Sequence, residues 1–216
     1  MTSAPNSHAH QALISTPTHL VTASHSTLSS FSLSGDLIST STPHSALIRL
    51  LAFHPPNYLI STGEDKKLVV STLPGLEVVS SRELNKRANG IDVTPEGTIL
   101  VGDKFGDVFT YPLLVPAPVE SESETAAKDS KDSKAEKATP ILGHVSMLTA
   151  VVFLPESKQA KFEHPAYVVS GDRDEHVRVS RYPKGEVIEK FLWGSKRSVW
   201  PSFFPFPQYH TRDNDL

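Results

Sequence analysis

His144, Ser146, Ser170 and the run Asp172-Arg173-Asp174-Glu175-His176 are the residues of this 216-residue chain whose types could do chemistry together. A histidine held by a carboxylate can draw the proton from a serine hydroxyl, and Ser146 or Ser170 would supply that hydroxyl. The acidic run, with His176, could on paper hold a cation. Neither chemistry has its supporting parts. No nucleophile elbow or oxyanion glycine cluster accompanies the serines. Adjacent residues of one tight turn cannot all converge on an ion, and Arg173 would oppose it, so no metal site is expected. A structural role is the plainer reading, since Asp174 is a carboxylate at a strand–strand turn where it can accept backbone N–H groups.

The elements that must position these residues follow a repeated plan. After Gly143-His144 come an apolar strand at 149–154 and a second strand at 167–171. Past the turn, strands at 176–182 and 186–191 complete the unit, which ends at Trp193-Gly194. Four strands in that order resemble one blade of a WD-repeat β-propeller, and the resemblance implies that His144, after Gly143, hydrogen-bonds Asp174 and ties the loop to the turn. Residues 19–24 and 27–33 read as middle and third strands of a first blade, with 34–42 running into its outer strand. Residues 46–54, 59–62, 68–73 and 76–81 make a second, and 90–94, 98–101 and 108–111 a third. Asp65 precedes Leu68 by three positions, as Asp174 precedes Val177. Asp103 lies 38 positions after Asp65, close to the about 40–45 residues of a propeller repeat. The fold class is therefore all-β, with about four blades across 16–194.

Three stretches lie outside the repeat. Residues 1–15 are polar, with only a lone His8-x-His10, and read as a disordered tail. Residues 115–139 carry mixed charge with serine, alanine and proline but no aromatic residue. They cannot bury enough apolar surface to offset their ordering entropy, so a disordered insertion between two blades is expected. Residues 195–216 crowd Pro201, Pro205 and Pro207 among aromatics, which removes strand donors and continues no repeat.

Composition narrows the function classes. A net charge of −3 excludes a generally basic nucleic-acid coat. The absence of cysteine excludes a disulfide framework and a cysteine-based zinc site. Apolar runs are too short to span a bilayer, and residues 1–17 lack the pattern of a signal peptide. Nucleus, with cytosol as the other compartment, is the expected location. Arg82, Lys86 and Arg87, with Lys66, Lys67 and Lys104 on nearby turns, could touch RNA phosphates or a partner, since phosphate binding needs only placed cations. Ordinary solvated loop charge is the plainer reading. No aromatic stacking platform is evident in the sequence.

The fourth unit is more specific than a generic blade. LGHVSMLTAVVF followed by SGDRDEHVRVSRYPKGEVIEKFLWG resembles the WD-repeat, non-catalytic subunit family of the eukaryotic tRNA (guanine-N(7)-)-methyltransferase. LNKRANGIDVTPEGTILVGDKFGDVFTYPL and FHPPNYLISTGEDKKLVV resemble that family's third and second blades. The resemblance runs from about residue 18 to about residue 194, some half of the family's length. It implies a seven-bladed propeller without catalytic residues or cofactor. The partner would be a separate catalytic subunit that uses S-adenosylmethionine to methylate a guanine in the tRNA variable loop. Consistently, no glycine-rich cofactor loop stands between a strand and a helix. The resemblance also implies that the fourth blade's turn and strand dock the catalytic subunit, with Arg178 the leading candidate, then Arg173 and Glu175, with His176 beside them. His144, Asp174, Asp65 and Asp103 would be structural, and tRNA would be reached indirectly or through Lys86, Arg87 and Lys104. The repeat pattern alone would equally permit a generic peptide-binding adaptor, and an independent enzyme is the weakest alternative. An unclosed ring would leave two blade faces bare, each exposing on the order of 8 apolar side chains, roughly 12 kcal/mol per face. That rivals the about 5–15 kcal/mol net stability of a domain, so the chain alone is expected to aggregate or to assemble.

Overall fold

A computed structural model describes residues 12–114, 139–159, 163–174 and 176–192. Among them are four four-stranded antiparallel sheets. The first comprises β1 (Ala12–Ser15), β2 (His19–Ser24), β3 (Thr27–Ser32) and β4 (Leu37–Ser41). The second comprises β5 (Ile48–His54), β6 (Tyr58–Gly63), β7 (Lys67–Thr72) and β8 (Glu77–Glu83). The third holds β9 (Ala88–Val93), β10 (Thr98–Asp103), β11 (Asp107–Pro112) and β12 (Leu142–Gly143). The fourth holds β13 (Leu148–Leu154), β14 (Tyr167–Asp172), β15 (Val177–Arg181) and β16 (Ile188–Leu192). Within each sheet the strands pair in sequence order. The first strands β1, β5, β9 and β13 neighbour one another in turn. This is the all-β propeller arrangement expected from the sequence.

Strand alternation explains why the sheets stack. In β6, Leu59 packs with Val21, Leu28 and Leu73 toward the first sheet. Its neighbour Ile60 packs with Leu68, Ile99 and Val101 toward the third. In β10, Ile99 joins that second cluster, while Leu100 packs with Leu148, Phe153 and Val168 toward the fourth sheet. Middle strands are covered on both faces and are therefore apolar at consecutive positions. Each fully buried Leu or Ile contributes about 1.5–3 kcal/mol. Outer strands lack such cover; β16 is exposed throughout.

Two boundaries differ from the sequence expectation. Ala12–Ser15, placed in the expected tail, form β1 and pair with β2 from Ala12↔Ala23 to Ser15↔Leu20. Leu142–Gly143 form the outer strand of the third sheet through Asp107↔Gly143 and Val108↔Leu142. The segment 115–138 therefore falls in sequence inside the third blade, between its third and fourth strands, rather than between blades. That segment, residues 1–11 and residues 193–216 lie outside the described residues, as do the expectations made for them.

The turns between second and third strands lie at the same end of the sheets as the connections from each outer strand to the next blade. Main-chain bonds tie the two kinds of loop together. Ile48 N–H donates to His25 O, Leu84 N–H to Lys66 O, Lys104 N–H to Arg87 O, His144 N–H to Gly106 O and Arg173 N–H to Met147 O. This rim carries nearly every residue singled out above.

Candidate partner-binding rim

Two serine–histidine–aspartate sets are built on the rim. In the fourth blade, His144 Nε2 meets Ser170 Oγ at 2.7 Å and His144 Nδ1 meets Asp172 Oδ2 at 3.1 Å. In the second, His44 Nε2 meets Ser61 Oγ at 2.9 Å, and Nδ1 lies 3.0 Å from Asp65 Oδ1. The order resembles that of a hydrolase triad, but the environment does not. Ser170 and Ser61 are each 1% exposed, inside their sheets. No substrate carbonyl can approach them. Ser146, the other sequence candidate, is buried and does not meet His144 in a side-chain hydrogen bond among the described residues.

The carboxylate facing His144 is Asp172, which corrects the sequence assignment to Asp174. Asp174 lies on the surface, 3.6 Å from Arg173 Nε. The spacing rule failed because the turn offers two places from which a carboxylate can reach the same histidine. In the second blade Asp65 stands four residues after Ser61; in the fourth Asp172 stands two after Ser170. The position matching Asp172 is Gly63, where an added Cβ would lie 2.9 Å from Asp65 Oδ1. Asp65 thus uses space that Asp172 fills from the other side. Asp172 also caps its turn, since Oδ1 accepts N–H groups of Asp174 and His176, each at 3.0 Å. Asp103 caps the third turn in the same way, accepting from Phe105 at 2.8 Å and Asp107 at 3.1 Å. That blade has Leu84 where the others have histidine, four residues before its inner strand.

The electrostatics follow from this geometry. Burial alone would raise the Asp172 carboxyl, but bonds from the His176 backbone, His144 and the His176 ring outweigh it and hold it below the ordinary value. Asp65 behaves alike, with His44 and the N–H groups of Ser45 and Lys67 overcoming burial. For His144 burial dominates, and its pKa falls despite Asp172. Among the described residues, no group of three His, Cys, Asp or Glu side chains could hold a metal ion.

The expected docking residues separate into two groups. Arg178 is 9% exposed and committed inside the chain. Its Nε donates to Ser180 Oγ at 2.7 Å, one terminal nitrogen to Gly143 O at 3.0 Å and the other to Gly185 O at 2.7 Å. It ties β15 to β12 and to the loop before β16, so its guanidinium is not an exposed anchor. Arg173 is exposed beside Asp174. His176 is half-exposed, with Nδ1 3.2 Å from Asp172 Oδ2. Glu175 lies outside the described residues.

The basic group also divides. Arg87 pairs with Glu64 at 3.6 Å, and Arg49 meets the same oxygen at 3.3 Å. Arg82 sits apart, over the Tyr111 ring, with a donor toward Ser80 Oγ. Lys66 and Lys67 stand at the β6–β7 turn. Lys86 and Lys104 each place Nζ 5.1 Å from the centre of the Phe105 ring. Sequence reading missed Phe105, although an aromatic at the tip of a charged turn was the available signal. It also missed Asp92, which joins blades by accepting the Phe153 N–H at 2.7 Å. Burial raises the Asp92 carboxyl against that bond.

Comparison with known proteins agrees with this architecture. A family model described as "tRNA methyltransferase TRM82 WD40 domain" matches residues 32–140 and 120–200. A relative from Aspergillus oryzae, named tRNA (guanine-N(7)-)-methyltransferase non-catalytic subunit, is 35% identical over 198 residues, 74% of this chain and 40% of that protein. Its namesake from Meyerozyma guilliermondii is 35% identical, covering 66% of this chain and 30% of the relative. The Eremothecium gossypii protein is 37% identical over 53% of this chain and 21% of its own length. The chain thus spans two fifths or less of these relatives.

Proposed function

Because the chain belongs to the tRNA methyltransferase TRM82 WD40 domain family, we propose that it acts as a non-catalytic propeller subunit. In this reading it stabilises and positions the catalytic subunit of tRNA (guanine-N(7)-)-methyltransferase, which forms 7-methylguanine in the tRNA variable loop. The relatives' shared name, non-catalytic subunit of that methyltransferase, carries the proposal. The rim's chemistry supports it: both serine–histidine–aspartate sets are consumed in holding turns, leaving charged side chains outside. The fourth-blade turn is the docking surface, with Arg173 and His176 facing the partner. Arg178 acts as a positioning residue by fixing the loops on either side. An exposed arginine suits this role, because its planar fork can grip a partner carboxylate bidentately. The assembly works in the nucleus.

Co-expression with the catalytic subunit from the same source tests the proposal. The expected result is a two-subunit complex that methylates tRNA and that Arg173→Glu weakens without unfolding the chain. A well-folded chain that forms no complex would overturn it and favour a generic adaptor.

A further inference from the structure

Phe105 stands at the tip of the β10–β11 turn, 56% exposed. The turn is held rigidly: Asp103 Oδ1 accepts the Phe105 and Asp107 N–H groups, and Gly106 has φ of +105° with its backbone against the next loop. Two different loops then bring one ammonium group each to the ring. Lys104 belongs to the turn itself, while Lys86 arrives from the connection between β8 and β9. The Lys104 N–H to Arg87 O bond latches the two loops together. Both Nζ atoms lie 5.1 Å from the ring centre. Like charges drawn to one ring repel each other, and the π face only partly compensates. Among the described residues no carboxylate pairs with either lysine, whereas the neighbouring Arg49 and Arg87 share Glu64.

We propose that Phe105, Lys86 and Lys104 form a contact site for one unpaired nucleotide of RNA, the lysines taking its phosphate and the phenyl ring its base. The ligand chemistry follows from the parts. A phosphate beside the ring would meet two ammonium groups that have no carboxylate partner among the described residues, and an exposed phenyl offers a surface on which any base can stack. An acidic protein segment would satisfy the cations, but it would leave the ring without a flat partner. The site extends the reading of the chain as a subunit of a tRNA-modifying assembly, and rests on it. It places Phe105 beside Lys86 and Lys104 and leaves Arg87 out, because Arg87 is paired.

The test measures fluorescence anisotropy of an unmodified tRNA transcript, a single-stranded RNA oligonucleotide and a blunt RNA duplex. Each is titrated with the 216-residue chain and with its complex with the catalytic subunit. Phe105→Ala should weaken tRNA and single-strand binding on the order of 10-fold, and Phe105→Trp should retain it. Lys86→Glu with Lys104→Glu should weaken binding further and lower the salt slope by about 2. Duplex binding should respond to the lysine changes but not to Phe105→Ala. Co-purification of each variant with the catalytic subunit is followed in parallel, so failure of assembly is read separately from failure of RNA contact. Wild-type tRNA affinity in Phe105→Ala would overturn the proposal. Loss of the catalytic subunit with tRNA affinity unchanged would also overturn it, assigning the ring to a protein contact. So would absence of RNA binding by both the chain and the complex.

Discussion

A histidine with both ring nitrogens committed, one to a buried serine and one to a buried aspartate, is a clamp rather than a base. His44 and His144 each hold a turn in this way, and their repetition in two blades argues against a single reactive centre. Asp172 and Asp174 should therefore respond very differently to substitution. Asp172→Ala removes the partner of two imidazoles and two backbone N–H groups, and should cost about 1–3 kcal/mol in urea unfolding. Asp174→Ala should stay within about 0.5 kcal/mol, because its carboxylate is solvated. Equal effects would contradict the assignment. Acid sensitivity should follow as well. The His144 pKa is lowered in the folded chain, so the unfolded chain takes up its proton first. Stability from this group is intact above about pH 6.5 and declines below it. Asp65 and Asp172, also lowered, hold their contribution above about pH 4 and lose it on further acidification. Asp92, raised by burial, shifts the opposite way. Thermal unfolding between pH 8 and 5 should show the first decline in the wild type and not in His144→Gln.

At the scale of elements, the strands were legible because short apolar runs are separated by polar turns, which are charged before the third strands of the second, third and fourth blades. What escaped were elements too short or too remote to show a period. β1 is four residues long and β12 two, and β12 is separated from its pairing partner by the 115–138 segment. Arg178 escaped for a different reason. Alternation with Val177 and Val179 assigns it, with Ser180, to the polar face of β15, yet that face is buried. The burial comes from the loops that close over this face, where Gly143 O and Gly185 O accept from the guanidinium. Loop contacts make the most demanding prediction here. An added Cβ at Gly106 would come 2.6 Å from both the His144 and Ser146 carbonyl oxygens, and φ is positive. Gly106→Ala should therefore cost about 1–3 kcal/mol and loosen the Phe105 turn. Gly143→Ala, whose nearest atom is the Asp107 carboxylate end, should cost less. Chemical denaturation of the two variants compares them directly.

At the scale of the molecule, three apolar clusters join four sheets, one between each neighbouring pair. The first and fourth sheets each have one face that no other described sheet covers. On the fourth, Val168 is fully buried toward the third sheet, while Val169 and Val179, pointing the other way, are only partly covered. Ile188, Phe191 and Leu192 are exposed nearby. The 216-residue chain on its own should therefore self-associate, seen as species larger than a monomer in sedimentation; a cooperative, soluble monomer would contradict this. Family membership was legible in the blade sequences because their turns carry unusual charged strings. The rim's division of labour was not, since which charges are spent on turns depends on contacts between loops far apart in sequence.

The role proposed for the chain is that of a scaffold whose fourth-blade turn docks a methyltransferase. Co-purification with the catalytic subunit, comparing wild type with Arg173→Glu and Arg178→Ala, tests it most directly. The expected result is a wild-type complex active on tRNA, weakened by Arg173→Glu in a chain of unchanged stability and by Arg178→Ala only alongside a lowered unfolding midpoint. A folded wild-type chain that never retains the catalytic subunit would contradict the claim.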